Sequence, residues 1–381
     1  MDVLERFLTV FDHEEPDHVP SFVQGMMEGF IEQWARKYDT DEADFEPILT
    51  PVKDCTIHVR LGFESSWCGF PGANATVSEA AQDACRRANE NLPAEQKALG
   101  YHIDQNGSLR RATILATGRS HGWQVEGVLN TREKWEEFYD GYNVGEVQSN
   151  AADIYNQSLE IALRSDFLPI PSVGLLSEPL IGSVGIGGMG RFGRKDPAFF
   201  RKILDTIIQP SYAKMAAICE SDAPLVIIPD DCAYKGRPIM SPAMYEEFIL
   251  PYLKHMVDMG HKAGKKVFLH SDGFIEPYYP LFIKIGLDGH QSLEPAAGMD
   301  LAHLKEAFGN KLVLIGNIDS SRLLPFGTPE EVTAVVKKTI EDGKPGGGYV
   351  FSPCTDLTDS CTLENVEVMM QTYKQCRDYT K

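Results

Sequence analysis

The 381-residue sequence predicts an α/β chain closed as a (β/α)8, or TIM, barrel. Short apolar or β-branched runs recur along it, each run ends in polar residues, and a helical pattern follows each one. The runs number eight: 19–24 (VPSFVQ), 63–69 (FESSWCG), 168–175 (LPIPSVGL), 225–229 (LVIIP), 266–270 (KVFLH), 288–292 (DGHQS), 312–316 (LVLIG) and 349–353 (YVFSP). One domain over residues 1–381 follows, since barrels of this kind run from about 200 to more than 400 residues.

The second half reads as regular βα units. Thr328, Pro329 and Glu331 place an N-cap, a first-turn proline and a capping-box acid at the correct offsets, and Val332, Val335, Val336 and Ile340 supply the apolar stripe behind them. Ser241 and Pro242 open another helix that ends near Gly264, directly before KVFLH. The first half is less regular. Residues 101–126 alternate as extended segments around an Asn106-Gly107 turn signal, which predicts an antiparallel insertion over the barrel.

Composition narrows the function. With 36 Lys+Arg against 55 Asp+Glu and a net charge of −19, the chain repels phosphate backbones, so nucleic acid is excluded as a partner. The first twenty residues carry acids where a signal peptide needs a basic start, and no stretch of about 18 apolar residues occurs. These features point to a cytoplasmic protein without membrane contact. Eight cysteines with no paired spacing are expected as reduced thiols or metal ligands.

Barrel chemistry sits at the carboxyl ends of the strands, which selects Glu178, Asp230, Asp231, His270, Asp272, Glu294, Asn317, Asp319 and Cys354. His270 and Asp272 lie two apart in an extended segment, so their side chains leave the same side of the backbone. With Cys354 from another strand of the same rim, they form an imidazole, carboxylate and thiolate set suited to zinc, with one position open for substrate. Magnesium would not favour the thiolate.

Structural readings stand beside these. Cys354 can be a small buried hydrophobe, Asp230 and Asp231 can cap the next helix, and Glu294 and Asn317 can hydrogen-bond to loops. Gly185-Ile-Gly187-Gly-Met-Gly190 spells the dinucleotide fingerprint but follows loop sequence rather than a strand. Gly346 to Gly348 lack a phosphate loop's Lys-Ser/Thr and read as a tight turn. Trp67, Phe70, Trp123 and Tyr234 either line an aromatic pocket or pack in the core.

Seven segments carry a resemblance. His13-Glu-Glu-Pro-Asp-His18-Val-Pro20, Ser241-Pro-Ala-Met-Tyr-Glu-Glu-Phe-Ile-Leu-Pro251, His270-Ser-Asp-Gly273, Leu293-Glu-Pro, Gly298-Met-Asp300-Leu, Gly316-Asn-Ile-Asp319 and Pro345-Gly-Gly-Gly-Tyr-Val-Phe-Ser-Pro-Cys354 resemble the uroporphyrinogen decarboxylase superfamily. They look most like its corrinoid-dependent methyltransferase branch. The resemblance implies a barrel and a zinc ion held by a His-x-Cys pair and a distant Cys, which map onto His270, Asp272 and Cys354. Asp272 therefore departs from the pattern: either it replaces a thiolate, or the ion takes a ligand from Asp231 or Glu294.

An ion held by oxygen and nitrogen is a stronger Lewis acid than one held by thiolates. That suits removal of a methyl group from an O-methyl donor, such as a methoxylated aromatic, to cobalt(I) on a separate corrinoid protein. Asp231, Glu294 and Tyr234 are the expected catalytic residues beside the metal. Three alternatives remain: a methyl-corrinoid to thiol methyltransferase, a decarboxylase, and a non-catalytic corrinoid-protein-binding subunit. A decarboxylase needs cations for a tetracarboxylate, yet residues 1–30 contain only Arg6 among Lys and Arg. The donor and the oligomeric state, a homo-oligomer included, are left open.

Overall fold

A computed structural model describes residues 1–38, 49–50, 53–54, 56–71, 79–104, 106–114, 120–139 and 147–379. Eight parallel strands form the barrel: β1 (Phe22–Val23), β2 (Ser65–Cys68), β3 (Leu168–Pro171), β4 (Leu225–Pro229), β5 (Lys266–His270), β6 (Gly289–Ser292), β7 (Val313–Ile318) and β8 (Tyr349–Pro353). Each falls on one of the eight runs. β1 pairs with β2, β2 with β3, and β4 through β8 pair in chain order. Ser172 bridges to Ile227 and Ser21 to Phe351, both parallel, so the two sheets join at both edges and the barrel closes.

Burial on both faces explains the unbroken apolar runs. Leu225 to Ile228 and Val267 to Leu269 are all at 0% exposure, the pattern of strands covered by helices outside and by side chains within. Lys266, Phe268 and His270 share one side of β5. Phe268 meets Phe11 at 5.4 Å and Phe22 at 6.5 Å between ring centroids, which places this side in the barrel interior and sends His270 to its upper rim.

The helix Val3–Phe11 closes the amino-terminal end. Arg6 donates to Glu64 at 2.6 Å and to Asp17 at 2.8 Å. Glu64 also meets the His18 ring at 3.0 Å and accepts from the hydroxyls of Ser21 at 3.2 Å and Tyr373 at 2.9 Å. Asp17 and His18 of the first motif thus serve the floor of the barrel.

Local signals shape the outer helices, with two departures from the sequence reading. The Thr328–Glu331 capping box forms and opens the helix Pro329–Gly343. Its buried face is Val332, Val336, Thr339, Ile340 and Gly343, whereas Val335 lies at the edge and is exposed. The segment from Ser241 is two helices, Pro242–Phe248 and Leu250–Lys262. Pro251 lacks the N–H that would bond the Glu247 carbonyl, and Arg201 donates to that carbonyl instead at 3.2 Å.

The insertion is an antiparallel sheet of Tyr101–Ile103, Ser108–Ile114 and Ser120–Gly127. Seven cysteines among the described residues are free thiols. Among the described residues no helix is long and apolar enough to cross a membrane.

Candidate functional site

Three ligand atoms, one each from Asp231, His270 and Asp272, lie within 4.8 Å of one another. Asp231 follows β4, His270 ends β5, and Asp272 sits two residues beyond it. His270 is buried, and its Nδ1 faces the Gln291 side-chain carbonyl oxygen, which accepts the ring N–H. That contact leaves the Nε2 lone pair toward Asp231, whose Oδ1 is 3.7 Å away. Gln291 in turn donates to the Cys354 carbonyl at 3.1 Å. It is the in-register neighbour of His270 on β6, so the pairing of the two strands orients the imidazole.

One carboxylate is held by a backbone N–H and the other by a side-chain hydroxyl. Asp231 Oδ1 accepts the Asp272 N–H at 3.0 Å, and Asp272 Oδ1 accepts from the Ser292 hydroxyl at 2.7 Å. Burial pushes the Asp272 carboxyl up to about 6; His270 opposes that rise and the Asp231 charge adds to it. Zinc bonds nitrogen and oxygen at about 2.0–2.2 Å. The group has the right spread and donor types to close on such an ion.

Cys354 lies one residue beyond β8 on the same rim but outside this group. Its Sγ faces the Ser320 hydroxyl at 3.9 Å, and burial pushes its thiol up to about 12. Glu294 is buried with both oxygens engaged, one by Lys235 Nζ at 3.1 Å and the other by the Gly273 N–H at 3.2 Å. Tyr234 stands on the hairpin Ala233–Tyr234/Arg237–Pro238 after β4 and is 49% exposed. Gly273 (φ +89°) lets the segment after β5 press against that hairpin, because a Cβ there would lie 2.8 Å from the Ala233 carbonyl carbon.

The other rim residues serve structure. Asp230 is fully buried and accepts from the Leu176 N–H at 2.9 Å, the Ser177 N–H at 2.6 Å and the Ser177 hydroxyl at 2.9 Å. It therefore caps the helix Ser177–Ser183 that follows β3 rather than the one after its own strand. Burial raises its carboxyl to about 7 against the pull of the Ser177 donors. Asn317 donates to the carbonyls of Leu293 and Met299, both at 2.8 Å, and Asp319 accepts from the Ser321 and Arg322 N–H groups.

Glu178 lines a cavity of about 470 Å³ beneath the insertion, together with Arg110, Gln124 and Tyr139. Burial, and after it the Asp231 charge, raise the Glu178 carboxyl, so the cavity is electrostatically coupled to the Asp231–His270–Asp272 group. Trp67 meets His270 edge-on at 5.0 Å, Phe70 is core against Tyr155, and Trp123 is exposed on the insertion. The glycine fingerprint lies inside the helix Gly185–Lys195, so it makes no strand-to-helix phosphate turn. Gly346 to Gly348 have φ of +75°, +68° and +65°, the tight turn expected of them.

Gln291, Ser292, Lys235 and the role of Trp67 are absent from the sequence reading. One signal was available: His290, Gln291 and Ser292 are three consecutive polar residues in a strand, and buried polar groups require partners.

A solved methyltransferase from Methanosarcina mazei superposes with a TM-score of 0.64 at 18% identity, covering 98% of this chain and 99% of that one, and shares the fold. A curated uroporphyrinogen decarboxylase from Neisseria meningitidis serogroup C is 28% identical over 186 residues, 46% of this chain and 48% of that protein. The match therefore spans about half the length of that relative. Methylcobamide:CoM methyltransferase MtbA from Methanosarcina acetivorans is 24% identical over 256 residues, 66% of this chain and 71% of that protein. The family profile described as uroporphyrinogen decarboxylase (URO-D) matches residues 180–376, just over half of the chain, a span that includes Asp231, His270 and Asp272. On that match the chain belongs to the uroporphyrinogen decarboxylase family.

Proposed function

We propose that this chain is a zinc-dependent methyltransferase of the cytoplasm that moves a methyl group from an O-methyl compound, a methoxylated aromatic above all, to cobalt(I) of a separate corrinoid protein. The observation that carries the reading is the composition of the rim group: one imidazole and two carboxylates, with the Cys354 thiol turned toward Ser320. His270, Asp272 and Asp231 would hold the ion, with Cys354 on the same rim as the further donor. Zinc in such a set supplies Lewis acidity that favours departure of an oxygen leaving group. The C–O bond breaks with its electron pair staying on oxygen, and the methyl carbon bonds to cobalt(I), which provides the other pair.

The remaining residues bind and orient. Gln291 fixes the His270 tautomer, and Trp67 packs an aromatic edge against it. Lys235, held by Glu294 and next to Tyr234, offers a cation for a substrate carboxylate such as that of a methoxybenzoate. Relatives named as methyltransferases of methylcobamide support the corrinoid partner. Against a decarboxylase stands Arg6: the one Lys or Arg of residues 1–30 is bound to Asp17 and Glu64 at the opposite end of the barrel.

The test measures zinc per subunit and demethylation together. Wild type should hold about one zinc and demethylate a methoxybenzoate in preference to methylamine, with reduced corrinoid protein as acceptor. His270→Ala and Asp231→Ala should lose zinc and activity while remaining folded. Stoichiometric zinc in both variants would remove the site assignment. Transfer from methyl-corrinoid to a thiol, with no activity toward any ether, would replace the proposal by the thiol branch.

A further inference from the structure

Several apolar side chains on the catalytic face are left uncovered. Ile186 follows β3, Tyr234 follows β4 and Phe326 follows β7, at 39%, 49% and 80% exposure. All belong to segments that extend the carboxyl ends of strands, the end that carries the Asp231–His270–Asp272 group.

Beside Ile186 runs a groove of about 490 Å³ between the helix Gly185–Lys195 and the far end of the hairpin after β4. Arg191, Arg194 and Lys195 line it together with Met189, Met240 and Met244. Arg191 donates to the Asn130 carbonyl at 2.9 Å, while Arg194 and Lys195 have no hydrogen-bond or ion-pair partner among the described residues. Three cations within five residues are a local exception on a chain of net charge −19.

The glycines of the same helix sharpen the point. A Cβ at Gly193 would lie 2.4 Å from the terminal methyl of Met244, the movable end of a flexible side chain. A Cβ at Gly187 or Gly190 would meet nothing within 4 Å, although both line the groove. Glycine inside a helix costs about 0.5–1 kcal/mol relative to alanine. Among the described residues no contact requires a glycine at Gly190 in the helix interior, which leaves the backbone open to solvent along the groove.

We infer that this groove docks the corrinoid-carrying protein, which presents carboxylates flanking an apolar side chain to Arg191, Arg194 and Lys195. The inference rests on the methyl-transfer reading above. An acidic partner is repelled by most of this surface, and with charges screened over about 8 Å at physiological salt, local cations decide where it lands. Unbranched methionine side chains adapt to an apolar protrusion. The groove is walled by segments that follow β3 and β4, and Asp231 of the rim group stands just after β4.

The experiment measures binding of the reduced corrinoid protein by calorimetry, together with methyl transfer to that protein and to free cob(I)alamin. The double variant Arg194→Glu/Lys195→Glu should weaken partner binding and raise the partner KM by at least about tenfold at low salt, with a flatter salt dependence. Zinc content and the rate with free cob(I)alamin should not change. Arg194→Ala/Lys195→Ala should move the same way by less. Unaltered partner affinity, or absence of binding by the wild type, overturns the inference. So does a parallel fall with free cob(I)alamin, which would assign the groove to substrate. Wild type that binds the partner but demethylates nothing would fail the methyl-transfer reading and leave the docking assignment standing.

Discussion

The two ends of the barrel treat carboxylates in opposite ways. At the amino-terminal end Glu64 is surrounded by the Arg6 guanidinium, the His18 ring and the hydroxyls of Ser21 and Tyr373. At the carboxyl-terminal rim Asp231 and Asp272 converge on one imidazole, and the nearby Glu294 is matched by Lys235. The floor is electrically closed and the rim carries surplus negative charge. Like charges gathered in a half-buried place repel, so a fold keeps them only where its backbone holds them or a cation is to come. Here a backbone group, the Asp272 N–H, holds Asp231, and a side-chain hydroxyl, that of Ser292, holds Asp272.

The largest expected effect breaks the closed end. Arg6→Met leaves the buried Glu64 with only the more distant Arg377 guanidinium, 4.0 Å away, and loss of one partner of a buried pair costs up to about 3–5 kcal/mol. Urea unfolding should register that loss while zinc per folded subunit stays the same. A loss under about 1 kcal/mol would show that the floor is no lock.

Next comes pH, read on the two sides of β6. His290 points outward, where Tyr279 Oη lies 2.9 Å from Nδ1 and the Ser271 carbonyl 3.2 Å from Nε2, and burial holds its pKa down at about 3. Its unfolded value is about 6.5. Between those values the unfolded chain binds the extra proton, so this contribution is complete above about pH 6.5 and falls on acidification by about 1.4 kcal/mol per unit. Urea midpoints at successively lower pH should show the decline, and His290→Gln should flatten it. An equal slope in the variant would assign the acid limb to other groups.

The smallest effect belongs to the inward side of the same strand. Gln291→Leu removes the acceptor that fixes the His270 tautomer, and outer-shell partners of this kind change metal affinity by about 10–100-fold. Zinc titration should show the loss, and the Nδ1 proton resonance of His270 should shift or broaden. Unchanged affinity would mean that strand pairing alone orients the ring.

Element placement was legible because it depends on local chemistry. All eight runs became strands, and Thr328 with Glu331 became a capping box, since burial on both faces and orphan N–H groups leave direct marks on residue type. Pro251 leaves as direct a mark: a proline inside the predicted helix divides it in two. The rim residues as a class followed from their position after each strand. Their division into ligand candidates and caps did not, because Asp230 and Asp231 are neighbours in sequence with opposite duties. One points back to cap the helix after β3, and the other faces His270.

The sequence by itself determined the (β/α)8 architecture, the antiparallel insertion, the family and the end of the barrel at which chemistry-bearing side chains emerge. Those depend on periodicity, turn residues and motifs that each occupy a few consecutive positions. Only the tertiary structure decided which side chains meet. Register between β5 and β6 sets Gln291 against His270, closure brings Arg6 to Glu64 across 58 residues, and the hairpin after β4 lays Lys235 on Glu294. The physical reason is that hydrogen bonds and ion pairs act over a few ångströms. Distance along the chain says nothing of them until the strands are in register and the barrel is closed.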